Sequence, residues 1–179
     1  MKQLYLLLLL LLSYFSFAQE KWITESGTIK FEASVPLFEE ISAQNNVVKC
    51  VINSEEKTIV CLLKIKDFEF KRDLMRTHFN EIYLESDKNP RATFKGSIPD
   101  FDINKISSKG TILTLDGTIK IHGISKKMSV SGIFKKVNNQ LKLAANFIID
   151  TDDFKIKIPS MILPKVSKKV QTKIEFTLQ

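Results

Sequence analysis

Along most of the chain apolar and polar residues alternate with period two. The register is clearest at the C-terminus, where Val170, Thr172, Ile174, Phe176 and Leu178 fall on one face and Gln171, Lys173, Glu175 and Thr177 on the other. Successive side chains of a strand point to opposite faces, so this pattern predicts half-buried β-strands. It recurs in Ile29, Phe31 and Ala33; in residues 47–52; in Ile59, Cys61, Leu63 and Ile65; and in Ala92, Phe94, Gly96 and Ile98. Leu113, Leu115, Ile119 and Ile121 repeat it, as do Met128, Val130 and Phe134, and Leu141, Leu143, Ala145 and Phe147. The count is eight strands. An all-β fold follows: eight antiparallel strands close into a barrel without free edges and enclose room for one small ligand, although a two-sheet sandwich satisfies the same alternation.

Two stretches break the period. Over residues 71–86 the apolar positions Leu74, Met75, His78, Phe79, Ile82 and Tyr83 recur at spacings of three and four, as on an amphipathic helix. Residues 151–169 carry two prolines between the last two strands and are long enough for a lid or portal.

The first residues differ in kind. Lys2, an apolar run from Leu4 to Leu12, and small residues at Ser16 and Ala18 have the layout of a secretory signal peptide over residues 1–18. The run is well short of the ~20 residues a spanning helix needs. A mature, exported chain of residues 19–179, periplasmic or secreted, is expected. Losing Lys2 lowers the formal net charge of +7 to +6. Spread lysines of this kind solvate the exterior and give at most transient contact with anionic membrane surfaces. Nucleic acid is a poor partner, with arginine only at Arg72, Arg76 and Arg91 and no nucleic-acid-binding motif.

Candidate chemistry is sparse. His78, Glu81 and Glu85 share a helical face, but one histidine and two glutamates are fewer than the ligands a structural zinc site needs, so packing with wet glutamates is the expectation and no metal is assigned. His122 belongs by alternation with Thr118 and Lys120, pointing away from the interior, with Gly123 in a tight turn. No nucleophile elbow, phosphate-cradling loop or carboxylate pair stands out, so no catalytic residue and no cofactor are assigned. Cys50 and Cys61 flank the NSEEK turn. A two-residue turn places them opposite, whereas a four-residue turn is expected to offset them by two residues, beyond the ~7 Å reach of a bridge. Glu-Glu lacks a residue comfortable at positive φ, so two buried thiols are expected, with a disulfide as the alternative. Thirteen phenylalanines, mostly at alternating positions, suit either a filled core or an apolar cavity.

The stretches FEFKRDLMRTHFNEIYLESDKNPRATFKG, LDGTIKIHGISKKMSV and DFKIKIPSMILPKVSKKVQTKIEF resemble the YceI-like family of exported, lipocalin-like lipid-binding proteins. Arg72, Asp73, His78, Phe79, Asn89, Pro90 and Phe94 carry the first motif. Gly117, Ile119, Ile121, His122 and Gly123 carry the second, and Asp153, Phe154 and Ile156 the third. Asn89 stands where an aromatic residue is common before the proline, and Met75 falls in a stretch that often bears leucine. The resemblance implies an eight-stranded antiparallel barrel with a helix across one end and an extended cavity for a polyisoprenoid or another long apolar chain.

The expected function is therefore a non-enzymatic binding protein that holds a polyisoprenoid-like, quinone-like or fatty-chain lipid for transport, storage or sequestration. Its walls are expected at Phe31, Leu63, Phe94, Leu115, Ile121, Val130, Phe134, Phe147 and Phe176, with Leu74, His78, Phe79 and Tyr83 on the capping helix. Arg72, Arg76, His78 and Lys155 are the candidate head-group donors. The alternatives are a small exported enzyme or metal protein centred on His78 with Asp73, Glu81 or Glu85, and a filled barrel that binds through its surface. Oligomeric state is not legible; a dimer is one option.

Overall fold

A computed structural model describes residues 21–179; the expected signal peptide lies outside the described residues. The strands are β1 (Lys21–Ser34), β2 (Ser42–Asn53), β3 (Thr58–Lys64), β4 (Glu69–Phe70), β5 (Arg91–Ser97), β6 (Thr111–Ile121), β7 (Ile124–Val137), β8 (Gln140–Asp150) and β9 (Val166–Leu178). All pairings are antiparallel, in the order β1-β9-β8-β7-β6-β5-β3-β2, and β2 pairs again with β1. Eight strands thus close into a barrel, while β4 adds two residues against Ala43 and Gln44 of β2. Closure leaves the barrel strands no free edge, and the inward row of each strand supplies the core.

At β5 and β6, Gly96 and Gly117 face one another. A Cβ at Gly96 would lie 2.4 Å from the Asp116 carbonyl oxygen, and one at Gly117 would lie 2.7 Å from the Phe94 ring. The two glycines let the strands approach while the Phe94 ring folds over Gly117.

The two ends of the barrel differ. At one end the β5–β6 connection turns inward, burying Ile98, Phe101, Ile103 and Ile106. The Phe101 ring meets Phe134 edge-on at 6.0 Å, and Ile52, Ile59, Leu141 and Leu178 complete a close-packed plug. At the other end lie α1 (Asp73–His78), which runs into a π-helical turn over Phe79–Tyr83, and the segment between β8 and β9, with 3-10 turns at Thr151–Phe154 and Leu163–Lys165. The helix expected over residues 71–86 is therefore shorter, and the change to π-helical pitch keeps Phe79 and Tyr83 on the inner face as the chain bends over the barrel.

Two local expectations change. Cys50 and Cys61 are directly opposite and joined in a disulfide, with Cα atoms 4.1 Å apart. The connection is a four-residue loop, because Asn53 pairs with Thr58. Its centre falls between Glu55 and Glu56, so it preserves the same register as a two-residue turn, and Lys57 supplies the positive φ of 55°. The expected offset is therefore corrected: a four-residue loop centred between Glu55 and Glu56 keeps the two cysteines in register. His122 is not on a strand: with Gly123 it forms the two-residue β6–β7 turn, both at positive φ (50° and 76°), as a type I′ hairpin requires.

Candidate functional site

The filled plug occupies one half of the barrel; the other half is hollow. A cavity of about 610 Å³ opens at the helical end, within the size range of lipid and small-molecule sites. Strand alternation builds its walls: Ile29, Phe31 and Ala33 from β1, Leu63 from β3, Ala92 from β5, Ile119 and Ile121 from β6, and Phe147 and Ile149 from β8. A narrower space of about 90 Å³ shares Ile29, Leu63, Ala92, Ile119 and Phe147 with it and descends toward Phe94, Leu115, Val130 and Phe176. The hollow is thus elongated along the barrel axis.

The roof is aromatic. Phe79 stacks on Phe31 with centroids 5.5 Å apart and meets Phe68 and Phe70 at 5.4 and 5.0 Å. Offset and edge contacts of this kind fix ring orientation and hold the π-turn onto the wall. Tyr83 lies beside them, and burial pushes its hydroxyl above the usual phenol range, as expected where solvent is scarce. The opposite lip is the segment after β8, which sends Ile156, Ile158 and Ile162 inward. Sequence alternation within KIKIP marks the first two; Ile162 follows no period.

The expected residues divide accordingly. Phe31, Leu63, Phe79, Tyr83, Ile121 and Phe147 stand on the main cavity, and Phe94, Leu115, Val130 and Phe176 on its narrow continuation. Phe134 does not: it is wholly buried in the plug against Phe101, because its end of β7 lies at the closed end. Leu74 is 65% exposed on the outer side of α1. Of the expected head-group donors, His78 alone borders the cavity. Arg72 is ion-paired with Glu39 at 2.7 Å and Arg76 with Asp73 at 2.9 Å, both facing solvent. Lys155 is exposed at the left-handed end of a 3-10 turn. Among the described residues, Lys165 is the lysine that lines the cavity itself. The sequence reading also missed the β1–β2 loop, whose Leu37, Phe38, Glu39 and Ile41 form part of the mouth; a loop has no period by which to assign a facing.

The His78, Glu81 and Glu85 trio is dispersed. Glu81 is exposed, and Glu85 turns away to His122, with Oε2 at 3.2 Å from Nε2. The Nδ1 of the same ring stands 3.0 Å from the Phe154 carbonyl oxygen. Both partners are acceptors, so both contacts are hydrogen bonds only when both ring nitrogens carry hydrogen. Glu85 thus keeps a side chain 38% exposed, as expected of a wet glutamate, but it is tied to His122 rather than free. Lys88, 2.5 Å away, and then His122 hold its carboxyl below the usual carboxylate range. His122 joins three pieces of the open end, namely the β6–β7 turn, the chain after the π-turn and the start of the lip. Among the described residues no helix is long and apolar enough to cross a membrane.

The model of the YceI-like domain matches residues 22–178. A polyisoprenoid-binding domain from Saccharophagus degradans, implicated in plant cell wall breakdown, superposes with a TM-score of 0.76 at 10% identity, covering 89% of this chain and 97% of that one. Burkholderia cenocepacia BcnA superposes with a TM-score of 0.70 at 11% identity, covering 86% and 96%. The YceI protein of Campylobacter jejuni gives 0.56 at 17% identity, covering 72% and 77%. At these identities the likeness is one of fold. No curated protein sequence matches the chain. With the family model spanning nearly all of the described barrel, the chain belongs to the YceI-like domain family.

Proposed function

We propose that this protein is a non-enzymatic, exported lipid carrier that holds one long apolar chain, of the polyisoprenoid, isoprenoid-quinone or fatty type, along the barrel axis. The observation that carries the reading is the hollow itself: about 610 Å³ walled by aliphatic and aromatic side chains, prolonged by the narrower space beneath. A packed protein interior leaves few voids larger than a water molecule, so an apolar volume of this size, open to water at the mouth, is costly unless an apolar ligand fills it. Binding would draw on transfer of apolar surface from water, about 0.8 kcal/mol per buried methylene, with few polar contacts needed. His78 and Lys165 are the polar groups at the mouth best disposed toward a head group. The polyisoprenoid-binding neighbour is consistent with this ligand class. Export is supported by the apolar run at residues 4–12 and by the disulfide, which persists in oxidising compartments.

The test is native mass spectrometry of protein purified from the cells that make it, followed by organic extraction and mass identification of what is released. A stoichiometric long-chain lipid is the expected result. Protein that is uniformly ligand-free and takes up no polyprenol, quinone or fatty acid on incubation would remove the carrier reading.

A further inference from the structure

The rim of the cavity exposes large apolar side chains that the barrel does not cover. Leu37 is fully exposed and Phe38 about half, and both border the mouth. Leu37 also holds a φ of 73°, a left-handed conformation that leucine rarely adopts. Met161, 86% exposed, sits on the facing lip beside Ile162, which lines the same mouth. The two segments are neighbours because Ser34, the last residue of β1, pairs with Val166, the first of β9.

On the lip after β8 the unpaired charges are of one sign. Its acids Asp152 and Asp153 pair with Lys168 and Lys126, and across the mouth Glu39 and Glu40 pair with Arg72 and Lys71, which leaves Glu81 on the roof as an exposed acid without an ion pair among the described residues. Lys155, Lys157 and Lys165, all exposed on the lip, enter no ion pair with a carboxylate among the described residues. Exposed apolar tips within a frame of uncompensated lysines match an anionic bilayer interface, where the tips enter the headgroup layer and the lysines meet phosphate.

We propose that the protein docks mouth-first on anionic phospholipid bilayers, with Leu37, Phe38 and Met161 inserted between headgroups and Lys155, Lys157 and Lys165 on their phosphates. The docked mouth gives a long apolar ligand a path between bilayer and barrel that does not cross water. The docking rests on the carrier reading for its purpose alone, and vesicle binding is measured independently of ligand occupancy.

Co-sedimentation of the exported protein, processed as its own cells release it, with mixed phosphatidylcholine–phosphatidylglycerol vesicles, against phosphatidylcholine vesicles alone, tests this. Binding is expected for the anionic vesicles and is expected to fall with added salt. Each near-surface lysine contributes about a five-fold factor, so Lys157→Gln/Lys165→Gln should weaken binding roughly 25-fold. Phe38→Ser/Met161→Ser should weaken it at least about ten-fold. Lys135→Gln/Lys142→Gln, a facing pair near the closed end, should leave it unchanged. All substituted side chains are exposed or lie at the rim, and circular dichroism checks that the fold is kept. Equal binding to neutral and anionic vesicles, or binding indifferent to both rim variants, overturns the proposal. So does conversion of a dimer to a monomer by Phe38→Ser/Met161→Ser without change in vesicle binding, which would assign the patch to a second copy. Loss of docking with lipid still bound by native mass spectrometry would leave the carrier reading intact.

Discussion

Reduction of the Cys50–Cys61 bridge is expected to weaken the closed half of the barrel by an amount that follows from chain statistics. The two cysteines are separated by 11 residues. The loop-closure expression gives about 2.8 kcal/mol at 25 °C for a cross-link of that span, through restriction of the unfolded chain. For a domain of this size such a loss lowers the melting temperature by roughly 6–11 °C. The assay is urea unfolding and thermal melting of the wild type with and without reductant, beside Cys50→Ala/Cys61→Ala. The wild type should become less stable on reduction, while the double variant should be indifferent to reductant and sit near or below the reduced wild type, since Cys50 is buried and its sulfur leaves a gap. The native fold should persist, because the β2–β3 register is also held by the backbone ladder from Lys49–Leu62 to Asn53–Thr58. Two reactive thiols in unreduced, denatured wild type, or a midpoint unmoved by reductant, would refute the reasoning.

Three other outcomes follow from the geometry. Ala92→Phe places a ring in the hollow shared by both spaces and should cut the bound lipid severalfold, read by native mass spectrometry, while stability is kept because the added volume enters empty space. Gly96→Ala meets a backbone oxygen and Gly132→Ala meets the movable ends of Leu115 and Leu143, so urea midpoints should show the first to be more destabilising, by more than about 1 kcal/mol. Glu85→Gln should narrow the acid limb of stability. The Glu85 carboxyl is held below its ordinary value by Lys88 and His122, so its contribution is present above the unfolded value of 4.5 and disappears as pH falls through the lowered one. Melting temperatures of wild type and variant should therefore differ most toward neutral pH and converge in acid; a constant gap would contradict the linkage.

The barrel walls were legible because strand geometry maps sequence parity directly onto inside and outside. Phe31, Leu63, Ile121 and Phe147 required nothing beyond that parity to be placed inward. The helix was legible by its change of period, although not its early end or the π-turn that keeps Phe79 beneath it. What parity cannot report is depth. Phe134 and Phe147 read alike in sequence, yet one fills the plug and the other faces a void, because the β5–β6 connection folds into one end of the barrel and nothing equivalent fills the other. Cysteine pairing was misjudged for a related reason: register depends on where a loop is centred, and a symmetric four-residue loop leaves Cys50 opposite Cys61.

The sequence by itself thus determined the fold class, the inward face of the strands and the amphipathic cap, since these rest on local period and on turn residues such as Gly123. Tertiary structure alone decided which half of the barrel is hollow and which polar groups reach its mouth. It drew Glu85 to His122 and committed Arg72 and Arg76 to neighbouring acids, leaving His78 and Lys165 at the rim. Those outcomes depend on distances between residues far apart in the chain, which closure of β1 on β2 and β9 sets and no local pattern encodes.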